Sequence, residues 1–372
     1  MEDKVVLQVM GMDSSKYGGI ERFNVELAKN LRAKGFKGVF VYEEEPANHA
    51  FVDDLEAAGG EIVILNSRKS KLRFCKGFVK LMKQYRPVLV HAHFTKARFY
   101  AIPIAYFMGV RKLFVTIHST MVPKREIKPH TRLWCWWANK VSKVVAVSEN
   151  IRTVYKENWP DAEVKRIYLG VERIEGDRGE SREKLGIGNG QTMLLTVSNF
   201  NRIKGLDVLS KAVKILKDSG MMHDACLYIV GQPEADKAEL TTLVGELGID
   251  ECVKMEGISN EVPTYLMAAD IYVQPSRSEG IGLALMEAAS AALPLVGTKV
   301  GGIPEIVRDG MNGLVVDSEN PEMLAEAIAK LLQDEDLRKR LAANSLKVYQ
   351  EDFSVASGVR ETVSYYGLSS MR

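Results

Sequence analysis

Cysteine is scarce in these 372 residues, and the four that occur, Cys75, Cys135, Cys226 and Cys252, stand far apart. No C-x-x-C pair and no cysteine–histidine cluster exists, which excludes the usual zinc spacings and makes a reducing compartment the expectation. No apolar run approaches the roughly 20 residues of a membrane-spanning helix. Glu2-Asp3-Lys4 runs directly into VVLQVM, unlike a secretory signal, so a cytoplasmic protein is expected. Metal-holding D-x-D spacing is confined to Asp334-Glu335-Asp336, which reads as a solvated helix cap between two helices. No metal and no other cofactor is expected. Acidic residues are missing from 68–86, a segment that carries Arg68, Lys69, Lys71, Arg73, Lys76, Lys80, Lys83 and Arg86.

The hydrophobic (46%) and charged (26%) fractions are those of a soluble globular enzyme, and the length suffices for two α/β domains. The formal net charge of +2 hides an asymmetry. Residues 1–169 hold 29 Lys and Arg against 17 Asp and Glu; the remainder holds 21 against 31. A basic half invites an anionic partner. In 68–86, Leu72, Phe78, Val79 and Met82 interleave with the cations at helical spacing. That pattern reads either as a contact for an anionic membrane surface or as a solvated helix face. Lys124, Arg125, Lys128 and Arg132 extend the basic surface. Nucleic acid is not expected, since no aromatic-rich RNA motif or recognition helix accompanies the charge. Trp134, Trp136 and Trp137 read as packing under a sheet rather than as sitting at a lipid interface, the alternative.

The chain alternates short β-branched runs with segments of 3.6-residue period. Val5–Met10, Val39–Tyr42, Ile62–Leu65, Val88–His93, Leu113–His118 and Val144–Val147 read as strands. Ile20–Lys34, Phe51–Ala58, 70–85, Arg98–Met108 and Leu133–Val141 read as helices. After a polar, turn-rich stretch from Tyr168 to Gly190 the alternation resumes, with strands at Met193–Ser198, Leu227–Val230 and Cys252–Gly257. Gly186-Ile187-Gly188-Asn189-Gly190 follows a helix and precedes a strand, the wrong order for a dinucleotide motif, so it is a loop. Repeated βα units imply parallel sheets with ligands at the carboxyl ends of the strands.

One stretch carries more than fold. From Asp270 to Pro304 the sequence reads strand (DIYV), glycine loop (SEGIG), helix (LALMEAASAA) and strand (LPLV), a single βαβ unit. Gly280 and Gly282 admit an anion close to their amides, and the following helix offers unpaired N–H groups. Glu279 and Glu287 bracket that cradle; a carboxylate accepts hydrogen bonds and suits a vicinal diol. Hydroxyls on both sides of a phosphate describe a sugar nucleotide. Taken alone, the stretch fits an ordinary helix start equally well. Gly18-Gly19, between the first strand and first helix, offers either a similar cradle or only a turn. His118 ends the strand LFVTIH, where a lone histidine is more often structural.

S-E-G-x-G-L-x-x-x-E-A followed by L-P-x-V-G-T-x-x-G-G-I-P-E resembles the retaining glycosyltransferases of family four, with their E-x7-E motif. The resemblance covers nearly the whole chain. It implies the GT-B fold: two Rossmann-like parallel-sheet domains facing a central cleft. The expected domains are 1–169 on the acceptor side, with a helix at about 351–372 crossing back, and 170–350 on the donor side. By the resemblance, Glu279 holds donor-sugar hydroxyls, Glu287 the ribose diol, and the amides of Gly280, Ile281, Gly282 and Leu283 the diphosphate. Thr116-Ile117-His118 matches the family's T-x-H, whose histidine contacts the donor sugar. His91-Ala92-His93 also fits the family and reads as mainly structural. Lys204 stands at the family's K-G position. The family's arginine is replaced by Asn199, and Arg202 is the candidate substitute. Ile258 lies where the family's backbone meets the base, and Gly18 and Gly19 join the donor-binding set.

The activity implied is metal-independent hexosyl transfer with retention, from a nucleotide sugar, most simply a UDP-sugar. The acceptor implied is a glycan or lipid-linked glycan at the cytosolic membrane face, in bacterial surface polysaccharide or lipopolysaccharide synthesis. A GT-B sugar-nucleotide 2-epimerase and a non-catalytic nucleotide-sugar binding protein are the alternatives.

Overall fold

The computed structural model describes residues 4–14, 17–66, 70–93, 95–118, 126–231 and 237–368. The chain divides into two compact units, Met1–Val171 with Ser354–Arg372, and Glu172–Phe353. Arg68, Lys69, Lys124 and Arg125 of the basic segments lie outside the described residues.

The first unit runs β1 (Lys4–Val9), α1 (Gly19–Ala33), β2 (Phe36–Tyr42), α2 (His49–Ala57), β3 (Gly60–Ile64), α3 (Lys71–Tyr85), β4 (Leu89–Ala92), α4 (Thr95–Phe107), β5 (Lys112–Ile117), α5 (Pro129–Val141), β6 (Lys143–Ala146), α6 (Glu149–Asn158) and β7 (Val164–Arg166). The second runs α7 (Arg178–Lys184), β8 (Thr192–Val197), α8 (Leu206–Asp218), β9 (Ala225–Val230), α9 (Lys237–Glu246), β10 (Val253–Gly257), α10 (Val262–Ala268), β11 (Ile271–Gln274), α11 (Leu283–Ser290), β12 (Leu295–Thr298), α12 (Ile303–Ile306), β13 (Gly313–Val316), α13 (Pro321–Gln333) and α14 (Glu335–Val348). A last helix, α15 (Val355–Tyr366), belongs to the first unit and packs beside α1.

Both sheets are parallel, ordered β3-β2-β1-β4-β5-β6-β7 and β10-β9-β8-β11-β12-β13. Helices cover both faces of such a sheet, so its strands are continuous apolar runs, as in the fully buried ACLYIV of β9. In α8, Leu206, Leu209, Val213 and Leu216 recur on one face and join a core with Leu227 and Ile229 of β9. In each sheet the strand order reverses once, between β1 and β4 and between β8 and β11. Loops at the carboxyl ends beside such a reversal diverge and leave a crevice.

Several elements carry no clear sequence signal. β7 is only VKR, with two cations in three residues, so no apolar run marks it. β13 (GLVV) sits behind the turn at Asp309–Gly313. α6 and α9 bury only a few positions and are otherwise polar. Trp136 is not packed under the sheet but 50% exposed; Cys135 and Ala138 take the inward face of α5 instead. Asp334 caps α14, accepting from the Leu337 amide at 2.8 Å.

Candidate active site

The loops after β8 and β11 face one another at the reversal point of the second sheet. Each carries a predicted site residue. Lys204 Nζ donates to Glu279 Oε2 at 2.7 Å, with 23% and 15% of the two side chains exposed. Two glycines make this approach possible. Gly205 has φ +67°, and a Cβ there would lie 2.0 Å from the Pro275 carbonyl oxygen. Gly301, φ +53°, brings the loop after β12 against Glu279, whose carbonyl oxygen would sit 1.8 Å from an added Cβ. Both positions combine left-handed backbone with contact that excludes any side chain.

Arg277, in the loop before Glu279, locks the two loops together. Its guanidinium donates to both Asp207 oxygens at 2.7 and 2.8 Å, to Glu319, and to the Arg202 carbonyl at 2.6 Å. Its backbone amide donates to the Ile203 carbonyl at 2.7 Å. The hydrogen bonds to Asp207 and Glu319 push the Arg277 pKa further up, and Arg277 holds the Asp207 carboxyl below its ordinary value. No local sequence signal marks this clamp, although Arg277 stands inside the P-S-R-S-E-G run.

Helices α8 and α11 both begin at this crevice, on left-handed Gly205 and Gly282, and no side chain caps either. By contrast α7, α13 and α14 are capped by Asp177, Asn320 and Asp334. Uncapped amino ends retain unpaired amides and positive potential. Glu287 lies on α11, and its charge with that of Glu279 adds to the burial that raises the Tyr272 phenol at the floor. Asn199 follows β8; Arg202 is exposed, with its carbonyl held by Arg277. Ile258, after β10, is 68% exposed.

The remaining predicted residues belong to the first unit. Gly18 and Gly19 follow β1, and the Gly18 amide donates to Glu21 Oε2 at 3.1 Å. His118 follows β5, its Nε2 3.4 Å from His93 Nδ1. His91 and His93 are 2% and 5% exposed. Burial lowers all three imidazoles, His91 to about 3, His118 to about 4 and His93 well below its ordinary value; neighbouring rings add to the effect at His91 and His93. A cavity of about 920 Å³ lies at the opposite, amino edge of this unit's sheet, lined by Lys4, Lys83, Arg86, Arg111 and Lys112 among others; no predicted site residue lines it. Among the described residues no group of three or more His, Cys, Asp or Glu is placed to hold a metal.

The structure is thus two parallel α/β units, the second with two uncapped helix amino ends beside the Lys204–Glu279 pair. Residues 17–173 match the family described as Glycosyltransferase Family 4, and residues 177–348 match Glycosyl transferases group 1. The chain belongs to the family-four glycosyltransferases and has their GT-B fold. It is similar to the N-acetyl-alpha-D-glucosaminyl L-malate synthase of Bacillus anthracis, 28% identical over 71% of this chain and 70% of that protein. It is 34% identical to D-inositol 3-phosphate glycosyltransferase 1 of Catenulispora acidiphila, over 46% of this chain and only 43% of that one. HepE from Anabaena, crystallised with UDP, superposes with a TM-score of 0.81 at 20% identity, covering 97% of this chain and 99% of that one.

Proposed function

We propose that this glycosyltransferase moves a hexosyl group from a UDP-sugar to a glycan or lipid-linked glycan, with retention and without a metal. The carrying observation is the Lys204–Glu279 pair at the crevice where α8 and α11 start uncapped. The second unit is the donor side and the first the acceptor side. Glu287 takes the ribose diol, Glu279 the sugar hydroxyls, and the Gly280–Leu283 amides the diphosphate. As the bond from the anomeric carbon to the diphosphate breaks, negative charge grows on the leaving oxygen. Lys204, Arg202 and the helix amides stabilise it there more than in the ground state. The acceptor oxygen bonds to the anomeric carbon on the face the diphosphate leaves, and its proton passes to a leaving phosphate oxygen. HepE's crystallisation with UDP supports the choice of nucleotide.

Donor binding tests this. UDP at about 100 times its Kd should stabilise the protein by about 2.7 kcal/mol, and Glu287→Ala should remove most of that shift. If no nucleotide diphosphate raises the melting temperature, the donor-site assignment is wrong.

The acceptor side further suits an anionic bilayer, as in bacterial surface polysaccharide or lipopolysaccharide synthesis. No helix among the described residues is long and apolar enough to cross a membrane. Helices α3, α4 and α5 form one layer and expose Leu72, Phe107, Leu133 and Trp136 by 50–80%. Exposed Lys71, Arg73, Lys76 and Lys80 share α3, and the Lys140 ammonium sits 4.1 Å over the Trp136 ring. Each lysine near anionic lipid contributes about 1 kcal/mol, so Lys76→Ala with Lys80→Ala should weaken vesicle binding by about thirtyfold. Co-sedimentation indifferent to this double substitution and to lipid charge would refute membrane docking through α3.

A further inference from the structure

The cavity at the amino edge of the first sheet has no part in the site described above, and its lining carries charge of one sign. Lys4 opens β1 and Lys112 opens β5. Lys83 stands in the last turn of α3, Arg86 just beyond that helix, and Arg111 just before β5. No Asp or Glu among the described residues lines it. The floor is apolar, with Phe36, Met82 and Val110 each at most 8% exposed. A concave surface with an apolar wall focuses the field of such cations and raises the local concentration of anions.

Two of the five cations have an internal task. Lys112 Nζ donates to the Tyr366 and Gly367 carbonyls at 3.3 and 2.6 Å, which closes the end of α15. The Arg111 guanidinium donates to the Tyr106 carbonyl at 3.3 Å near the end of α4, and its Cζ lies 5.0 Å from the centre of the Tyr106 ring. The side chains of Lys4, Lys83 and Arg86 form no hydrogen bond or ion pair with any described residue.

Arg86 also stands on unfavourable backbone. It ends α3 with φ +43° and ψ +54°, the left-handed region, where a Cβ is crowded and glycine is the usual residue. Pro87 follows and crowds the position further. Neither the helix end nor the proline calls for a side chain there. What arginine adds at this place is a cation at the cavity.

We propose that this cavity binds a phosphate-bearing anion, with Lys4, Lys83 and Arg86 as its charge partners. A phosphate ester carries about −1.5 to −2 at neutral pH, and its oxygens accept from several cations at once, whereas a carboxylate brings a single charge. The volume of about 920 Å³ exceeds what a phosphate group fills, and the apolar floor suits the carbon part of the ligand. Gly18 and His118 follow the carboxyl ends of β1 and β5, so this ligand is separate from the donor. An anionic lipid headgroup and a free phosphorylated metabolite share the required chemistry.

The test is nitrogen-15 NMR of glycine-labelled full-length protein titrated with pyrophosphate. Gly109 and Gly367 line the cavity, whereas Gly205, Gly282 and Gly301 stand at the donor crevice, so the two sites report separately. Pyrophosphate should move the Gly109 and Gly367 resonances to saturation. Arg86→Gly should not lower the melting temperature, because glycine accepts the left-handed backbone, yet it should weaken this binding about tenfold. Adding Lys83→Ala should bring the loss to about a hundredfold. Shifts confined to the crevice glycines overturn the proposal, as do cavity shifts that acetate reproduces at equal ionic strength. A folded double variant that binds like wild type overturns it too. Vesicles of phosphatidylcholine with phosphatidic acid then distinguish the sources. Release of bound protein by pyrophosphate at constant ionic strength identifies the headgroup as the occupant; retention, or no binding to the vesicles, identifies a free phosphorylated ligand.

Discussion

Lys204→Ala should lower kcat/KM by a factor of about 10² to 10³, with most of the loss in kcat. The size follows from where the charge is needed. Lys204 stands 2.7 Å from Glu279 and is 23% exposed, so its ammonium acts in a partly dry site rather than in bulk water. Stabilising a leaving diphosphate oxygen is worth more in such a site, about 3–4 kcal/mol for one preorganised donor. The interaction grows as the bond breaks, which is why kcat carries the loss. Structure should survive, because Gly205, Arg277 and Asp207 hold the loop through groups other than the Lys204 side chain. The measurement is donor hydrolysis or transfer, with the melting temperature recorded in parallel. A folded Lys204→Ala within about threefold of wild type would falsify the assignment.

The candidate residues of this site are more legible in the sequence than the contacts that hold them. Lys204, Glu279 and Glu287 announce themselves through glycine spacing and a long motif, since an anion cradle needs particular residue types at particular separations. Helix α8 is legible in the same way, because Leu206, Leu209, Val213 and Leu216 recur along one buried face. Arg277 was invisible for a different reason. Its partners Asp207 and Glu319 lie 70 and 42 residues away, and nothing local distinguishes a clamp from a surface arginine. The buried hydrogen bond between the Gln8 and Tyr366 side chains poses the same difficulty across 358 residues. A polar residue inside an apolar strand hints at a buried network, yet pairing it requires the fold. Short edge strands such as β7 were missed because pairing with a neighbour, not local composition, makes them strands.

Acid should unfold the first unit well before ordinary carboxylate titration would. In the unfolded chain His91, His93 and His118 take up protons near pH 6.5. In the folded unit burial holds His91 to about 3, His118 to about 4 and His93 well below its usual value. Above pH 6.5 both states are neutral and these groups have no effect. As pH falls below 6.5 the unfolded chain binds protons that the folded one refuses, so stability drops by about 1.4 kcal/mol per pH unit for each histidine. His118 is partly exposed and contributes less; His91 and His93 alone remove about 3 kcal/mol between pH 6.5 and 5.0, the slope reaching its full value only below the unfolded pKa. That is a large share of the 5–15 kcal/mol typical of a domain. All four tryptophans, Trp134, Trp136, Trp137 and Trp159, lie in this unit, so their fluorescence reports its unfolding selectively. The second unit has only the exposed His223, and so no buried imidazole to titrate. Urea midpoints followed by tryptophan fluorescence should therefore fall steeply from pH 6.5 to 5.0 and stay flat from 7.5 to 6.5. His93→Gln should reduce that slope by about 1.4 kcal/mol per pH unit. A midpoint that holds constant down to pH 5 would mean the buried rings are already protonated, with their charge stabilised inside the fold.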